Sequence, residues 1–275
     1  MKNLLKKAAM AVLGLSLMAA AGTATADAAS LQQIEKKGTI NVGMLVDFPP
    51  YGIMNEQNKP DGYDADVAKL LAKYLNVKLN LVPVTGPNRV PYLLSGQVDV
   101  LVASLGITAQ RAKKVDFSNP YAAITISVYG PKDLKVSKPA DLSGKTIAVA
   151  RASTQDAAIS KIAPKDANIR RFDSDASAVQ ALLSGQTQLI GCSNTVILQI
   201  NKAAPGKFDK KIQLANQVQG VAVKPGSDQL LAKINAFIKH VEDDGELNKI
   251  HEKWLGEPMP DVIKTTTAKS ALSGK

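Results

Sequence analysis

The sequence predicts an α/β protein of two lobes joined by a pair of crossing strands, and three observations carry that expectation. Short β-rich apolar runs alternate with helical patterns, which is the signature of parallel sheet with right-handed crossovers. The alternation occurs twice, over residues 39–105 and again over 145–203. Between the two series lies a continuous β run, "ITISVYG" (124–130), and a second extended stretch near Gln217–Gly220 precedes the last helices.

The first series opens with "TINVGMLV" (39–46), β-branched and apolar throughout, as a strand buried on both faces reads. "PPYGI" breaks it. "GYDADVAKLLAKYLN" follows, with Val67, Leu70, Leu71, Tyr74 and Leu75 at helical spacing. "KLNLVPV" is the next strand. "NRVPYLLSGQ" is a short helix, in which Pro91 is tolerated in the first turn and Gly96 sits near the end. "VDVLVASL" is the third strand. In the second series "KTIAVA" (145–150) is a strand, and "STQDAAISKIA" a helix capped by Ser153 or Thr154. "SDASAVQALLSGQ" puts Val179, Leu182 and Leu183 on one helical face and stops at Gly185; "TQLIGCS" and "NTVILQINKA" are the next strand and helix. "QGVAVKPG" returns to strand before two closing helices, "QLLAKINAFIKHVEDDG" and "ELNKIHEKWLG".

The ends say where the chain goes. Lys2, Lys6 and Lys7 are followed by an apolar stretch from Ala8 to Ala21 and the small-residue site Ala24-Thr25-Ala26. This is the layout of a cleaved secretory signal peptide, 1–26, with an apolar stretch too short for an ordinary membrane span. No cysteine lies near the cleavage site, so no lipid anchor on an N-terminal cysteine is expected, and export points to the periplasm. Of the 34 basic residues, removal of these three lysines leaves 31 against 24 acidic ones, a formal +7 spread along the chain. With aromatics at 4%, no basic-aromatic pattern for stacking nucleic-acid bases is present. The single cysteine, Cys192, permits no internal disulfide and reads as a buried thiol. No P-loop, dinucleotide motif or metal-spaced His/Cys set appears, so neither cofactor nor metal is expected.

One stretch carries the chemistry. In "SLGITAQRAKK" (104–114) the strand ends at Ser104, the turn around Gly106 exposes backbone N–H groups, and Thr108 is placed to cap a helix start. Open α/β sheets bind ligands at the carboxyl ends of their strands. Arg111 there has the planar fork that grips a carboxylate, and helix-start amides converge on the same point. The local pattern fits equally a solvent-facing charge beside Lys113 and Lys114. Phe48 and Tyr51 follow the first strand, on the rim of the same strand ends, either as a wall for a ligand or as a plug between loops.

"DFPPYG", "GYDADVA", "SGQVDVLVASLGIT", "VDFSNPY", "DLSGKTIAV" and "DDGELNKIHEKWLG", in this order, resemble the amino-acid branch of the type II periplasmic solute-binding proteins, extracellular solute-binding family 3. The resemblance spans nearly the whole mature chain. It implies two Rossmann-like lobes with a ligand in the cleft, handed to an inner-membrane ABC permease by a monomeric, non-enzymatic receptor. Lobe 1 would then comprise 27–126 and the return segment 219–262, lobe 2 residues 127–218, and 263–275 a flexible tail.

The resemblance also implies roles. Arg111 binds the ligand's α-carboxylate, Phe48 is an aromatic wall, and Thr154 helps to hold the carboxylate as the lobes close. Arg89, in "NRVP", matches an arginine that reaches a side-chain carboxylate in acidic-amino-acid binders; a surface charge or an inter-lobe ion pair fits it as well. The chain departs from the family at "TQLIGCSN", where members often carry an aspartate that pairs with the ligand's ammonium and this chain has Ser193 and Asn194. Those two fit either a neutral acceptor pair, which leaves a carboxylate without an α-amine open as ligand, or a cap on the next helix. The competing readings are a dehydratase-like enzyme on the same scaffold, acting on a carboxylated small molecule, and a ligand-sensing receptor.

Overall fold

The computed structural model describes residues 30–273. The expected signal peptide lies outside the described residues. Chain order is α1 (Leu31–Lys37), β1 (Thr39–Leu45), β2 (Asp47–Phe48), β3 (Gly52–Met54), β4 (Pro60–Asp61), α2 (Tyr63–Tyr74), β5 (Lys78–Val84), α3 (Arg89–Leu94), β6 (Val100–Leu101) and α4 (Ala109–Ala112). Strand β7 (Asp116–Pro131) leads to β8 (Thr146–Ala150), α5 (Thr154–Ile162), β9 (Asn168–Phe172), α6 (Asp175–Leu183), β10 (Leu189–Ser193) and α7 (Asn194–Ala203). Strand β11 (Phe208–Val223) returns to α8 (Asp228–Asp243), α9 (Glu246–Leu255), α10 (Asp261–Thr265) and α11 (Ala268–Ser273).

The main sheet has eight strands in the order β5-β1-β6-β11-β7-β10-β8-β9. Each end is parallel: β1 pairs with β5 and β6, and β8 with β9 and β10. The centre is antiparallel, where β7 and β11, 16 residues each, run beside one another from Asp116↔Val223 to Pro131↔Phe208. These two strands belong to both lobes and are the hinge. Their register slips at several places, two of them beside Gly220. Such irregularities bend and twist a ribbon locally.

The elements form where the pattern expects them, with instructive departures. In α8 the buried positions are Leu230, Ile234, Phe237, Ile238 and Val241, one apolar stripe on an amphipathic helix. On β8, Ile147 and Val149 face one layer with Leu142, Ile159 and Leu189, while Ala148 faces the other, the period of two of a strand covered on both sides. β7 begins at Asp116, well before the apolar run that revealed it, because Asp116, Phe117 and Pro120 still pair with β11. β6 has only two residues, since the chain leaves the sheet at Val102 and rejoins it through a single bridge, Gly106↔Gln219. The segment read as a flexible tail includes α11 and the end of α10; Ile263 is buried, and the Ala268 N–H donates to Asn119 Oδ1 at 3.1 Å. Ala268, Ala271 and Leu272 pack on the core, so apolar contacts hold a stretch whose small, polar composition reads as loose. Among the described residues no helix is long and apolar enough to cross a membrane.

Candidate functional site

The site is built on the loop after β6. Ser104 sits at φ 47°, a left-handed conformation that costs a non-glycine residue about 1–2 kcal/mol. A fully buried network holds it there. The Ser104 N–H donates to Tyr121 Oη (3.1 Å), Tyr121 Oη donates to Asp64 Oδ1 (2.9 Å), and Ser104 Oγ donates to Asp64 Oδ2 (2.8 Å). Burial pushes the Asp64 carboxyl up to about 7, against the pull of its two hydroxyl donors and of Arg89. Two backbone bonds then stitch the loop to the hinge, Ile107 N–H to Val218 O (3.0 Å) and Gly220 N–H to Leu105 O (3.2 Å).

From this fixed turn the chain enters α4. Thr108 Oγ1 accepts the Arg111 N–H at 3.3 Å, the expected cap. The guanidinium then spans the gap between lobes: Arg111 Nη1 donates to Gly106 O at 3.0 Å and Nη2 to Ala152 O at 2.9 Å, in the other lobe. Ala152 is also left-handed, at φ 59°, so strained backbone flanks Arg111 on both sides. Such strain persists only where the surroundings over-determine it, and it gathers at functional sites. Arg111 has no ion pair among the described residues. Burial and the like charge of Arg89 both push it below its ordinary value.

Between the lobes is a cavity of about 1370 Å³, larger than the roughly 300–1,000 Å³ of most small-molecule sites. Of the expected site residues, Tyr51, Arg89, Arg111, Thr154 and Asn194 are on its wall. Four others stand behind it. Phe48, paired with Gly52 across β2–β3, is buried and stacks on Tyr51 (centroids 5.7 Å, 19° between planes), so it braces the wall and does not form it. Ser104 is spent in the buried network, and Gly106 offers its carbonyl to Arg111. Ser193 is fully buried and caps α7, accepting the Val196 N–H at 3.2 Å and sharing a hydrogen bond with Thr195 Oγ1. Thr154 is the first residue of α5; the cap itself is Ser153.

Arg89 is buried and donates to Ala103 O at 2.7 Å. Burial lowers its pKa, and the charges of Asp175, Asp64 and Asp47 oppose that shift. It therefore sits among carboxyl groups of both lobes, close to the inter-lobe alternative. Asp47 makes the second bridge between the lobes, accepting the Asp175 N–H at the start of α6 at 2.9 Å. Sequence reasoning missed Asp47, Asp64, Tyr121 and Asp175. The signal for Asp64 was present: it falls on the same helical face as Val67, Ala68 and Leu71, where a carboxylate is out of place unless it is bonded. Gln217 was missed as well; its amide lies against Gly106, where a Cβ would collide with it.

A hinged pair of α/β lobes with an arginine reaching across the cleft defines a protein that clasps a small ligand between its halves. The chain belongs to family 3 of the bacterial extracellular solute-binding proteins, whose family model matches residues 40–257. It is 27% identical over 263 residues to the L-cystine-binding protein TcyJ of Escherichia coli K12, covering 94% of this chain and 97% of that protein. It is 29% identical to the ABC transporter glutamine-binding protein GlnH of Bacillus subtilis 168, covering 94% and 98%. Among solved structures it superposes on the solute receptor for L-cysteine of Neisseria gonorrhoeae with a TM-score of 0.77 (31% identity, 82% of this chain and 94% of that one). It also resembles an ancestral amino-acid-binding protein described as a precursor of cyclohexadienyl dehydratase, with a TM-score of 0.74 (32% identity, 82% and 98%).

Proposed function

We propose that this protein is the periplasmic receptor of an ABC importer and captures a small carboxylate, an amino acid or a close relative, by closing its lobes. The single observation that carries this reading is the placement of Arg111. Its guanidinium stands in the inter-lobe cavity, bonds backbone carbonyls of both lobes, and has no carboxylate partner among the described residues. A ligand carboxylate supplies the missing counter-charge, and charge-assisted bonds in a desolvated cleft provide affinity without large contact area. Thr154 joins from the start of α5 as the halves meet. Arg89, already surrounded by Asp47, Asp64 and Asp175, sets the charge of the wall. Residues 27–126 and 219–262 move as one lobe and 127–218 as the other, about the β7–β11 ribbon. The receptor acts as a monomer, is exported with cleavage after Ala26, and hands its cargo to the permease unchanged.

Calorimetry on Arg111→Ala tests the reading. Truncating one half of a buried charge pair costs about 2–5 kcal/mol, which is about 30-fold to several thousandfold in Kd. Unchanged affinity removes Arg111 from the site. Mass spectrometry of the ligand after incubation separates receptor from dehydratase: recovery intact supports the receptor, and turnover supports the enzyme.

A further inference from the structure

The wall of the cavity mixes apolar side chains with cations, neutral polar groups and two carboxylates. Asn194 is the exposed polar residue at the end of β10, on the lobe opposite Arg111. Its Oδ1 accepts the Thr125 backbone N–H at 3.0 Å. A backbone N–H can only donate, so this bond fixes which way the amide faces: the oxygen is turned to the hinge and Nδ2 is left with its two hydrogens for the cavity. Among the described residues Nδ2 has no partner. The neighbouring acceptor, Asn216 Oδ1, is taken by Thr125 Oγ1 at 2.9 Å. The Gly106 carbonyl is taken by Arg111.

Two carboxylates lie on the wall, and neither is placed to receive a cation beside Arg111. Asp156 is bonded by Arg171 Nε at 2.9 and 3.1 Å and by Ser160 Oγ. Glu257 follows α9 and acts on Tyr51, on the wall that includes His251; it does not act on Arg111. Arg89, Arg111 and Lys114 are the wall's cations without an ion pair among the described residues. Gln217, over Gly106, is neutral and turns either end of its amide to a ligand.

We infer that the occupant carries, next to the carboxylate held by Arg111, a neutral or anionic acceptor (an oxo group, a hydroxyl or a second carboxylate) in place of an α-ammonium. An ammonium there meets the Asn194 NH₂ and the Arg111 guanidinium, on which no carboxylate acts, a like-charge juxtaposition that discriminates strongly in a closed cleft. An oxo or carboxylate oxygen accepts from Asn194 Nδ2 as the lobes close. This inference rests on the carboxylate-receptor reading and narrows its ligand class.

Matched pairs that differ only in the α-amine test it by calorimetry: L-glutamate against 2-oxoglutarate and glutarate, L-aspartate against succinate, L-glutamine against glutaramate, and L-arginine against 5-guanidinovalerate. In every pair that binds, the amine-free member is expected to bind at least about tenfold tighter, since 1.4 kcal/mol corresponds to a factor of ten. Asn194→Asp keeps an oxygen for the Thr125 N–H and adds the missing charge, so it is expected to reverse the preference. An amino acid that binds wild type as tightly as its amine-free partner, with affinity still lost in Arg111→Ala, overturns this inference alone. No binding in any pair, or binding indifferent to Arg111→Ala, overturns the receptor site and the inference with it.

Discussion

Tyr121→Phe removes one oxygen that never touches the cavity, and it is expected to weaken both the fold and the site. Tyr121 Oη accepts from the Ser104 N–H and donates to Asp64 Oδ1, and all three residues are buried. The variant orphans a buried N–H, which costs about 1–3 kcal/mol, and deprives a buried carboxylate of a donor, worth about 1.5–3 kcal/mol. Partial relaxation leaves an expected loss of about 2–4 kcal/mol in unfolding free energy. Relaxation has a consequence of its own. Ser104, held at φ 47° by this network, is free to return to ordinary backbone geometry. The turn at Gly106 and the helix start under Arg111 shift with it, so ligand affinity falls too. Tyr63→Phe is the control. Tyr63 Oη donates to the Tyr121 carbonyl at 2.8 Å, a neutral bond outside the network, and its loss costs about 1 kcal/mol without moving the loop. Urea unfolding gives the stability and calorimetry the affinity. A Tyr121→Phe protein within about 0.5 kcal/mol of wild type, or no worse than Tyr63→Phe, refutes the claim that this network fixes the turn.

Other expectations concern acid, the hinge and a close approach. Asp64, pushed up to about 7 by burial, binds a proton in the folded chain over a range where the unfolded chain, near 3.8, does not. Stability therefore rises as pH falls from about 7 toward 4 and is lost as pH rises through 7, by at most about 1.4 kcal/mol per pH unit. Urea midpoints from pH 4 to 8 check it; Asp64→Asn should make the profile shallower and leave the like contribution of Asp175, also pushed up to about 7 by burial. Asp47→Ala deletes the acceptor for the Asp175 N–H in the other lobe, so small-angle scattering should show a more open average shape without ligand; an unchanged profile counts against Asp47 as an inter-lobe latch. Gly52→Ala places a Cβ within contact distance of the Leu45 carbonyl oxygen, a backbone atom with no room to move, and should cost about 3 kcal/mol in urea unfolding.

The two lobes were legible in the sequence because their strands and helices follow local periodicity. The position of Arg111 on the cavity wall was legible as well, because a strand end, a small-residue turn and a cap all fall within eight residues of it. What escaped depends on distance along the chain. Asp64 and Tyr121 are 57 residues apart, and Asp47 and Asp175 are 128 apart, so no window places them together. Ser193 and Asn194 show the limit in miniature. Adjacent in sequence, they were read as a pair, yet one is a buried cap and the other faces the cavity, because strand β10 ends between them. Which end of the Asn194 amide points inward is decided by the Thr125 N–H, on a strand 69 residues away.

The claim at the centre is that Arg111 receives a carboxylate between the lobes. A crystal structure of the protein with its ligand measures this directly. A ligand carboxylate within about 3 Å of the Arg111 guanidinium nitrogens, contacted from both lobes, is the expected result. A ligand seated elsewhere in the cavity, with Arg111 still bonded to the Gly106 and Ala152 carbonyls alone, contradicts it.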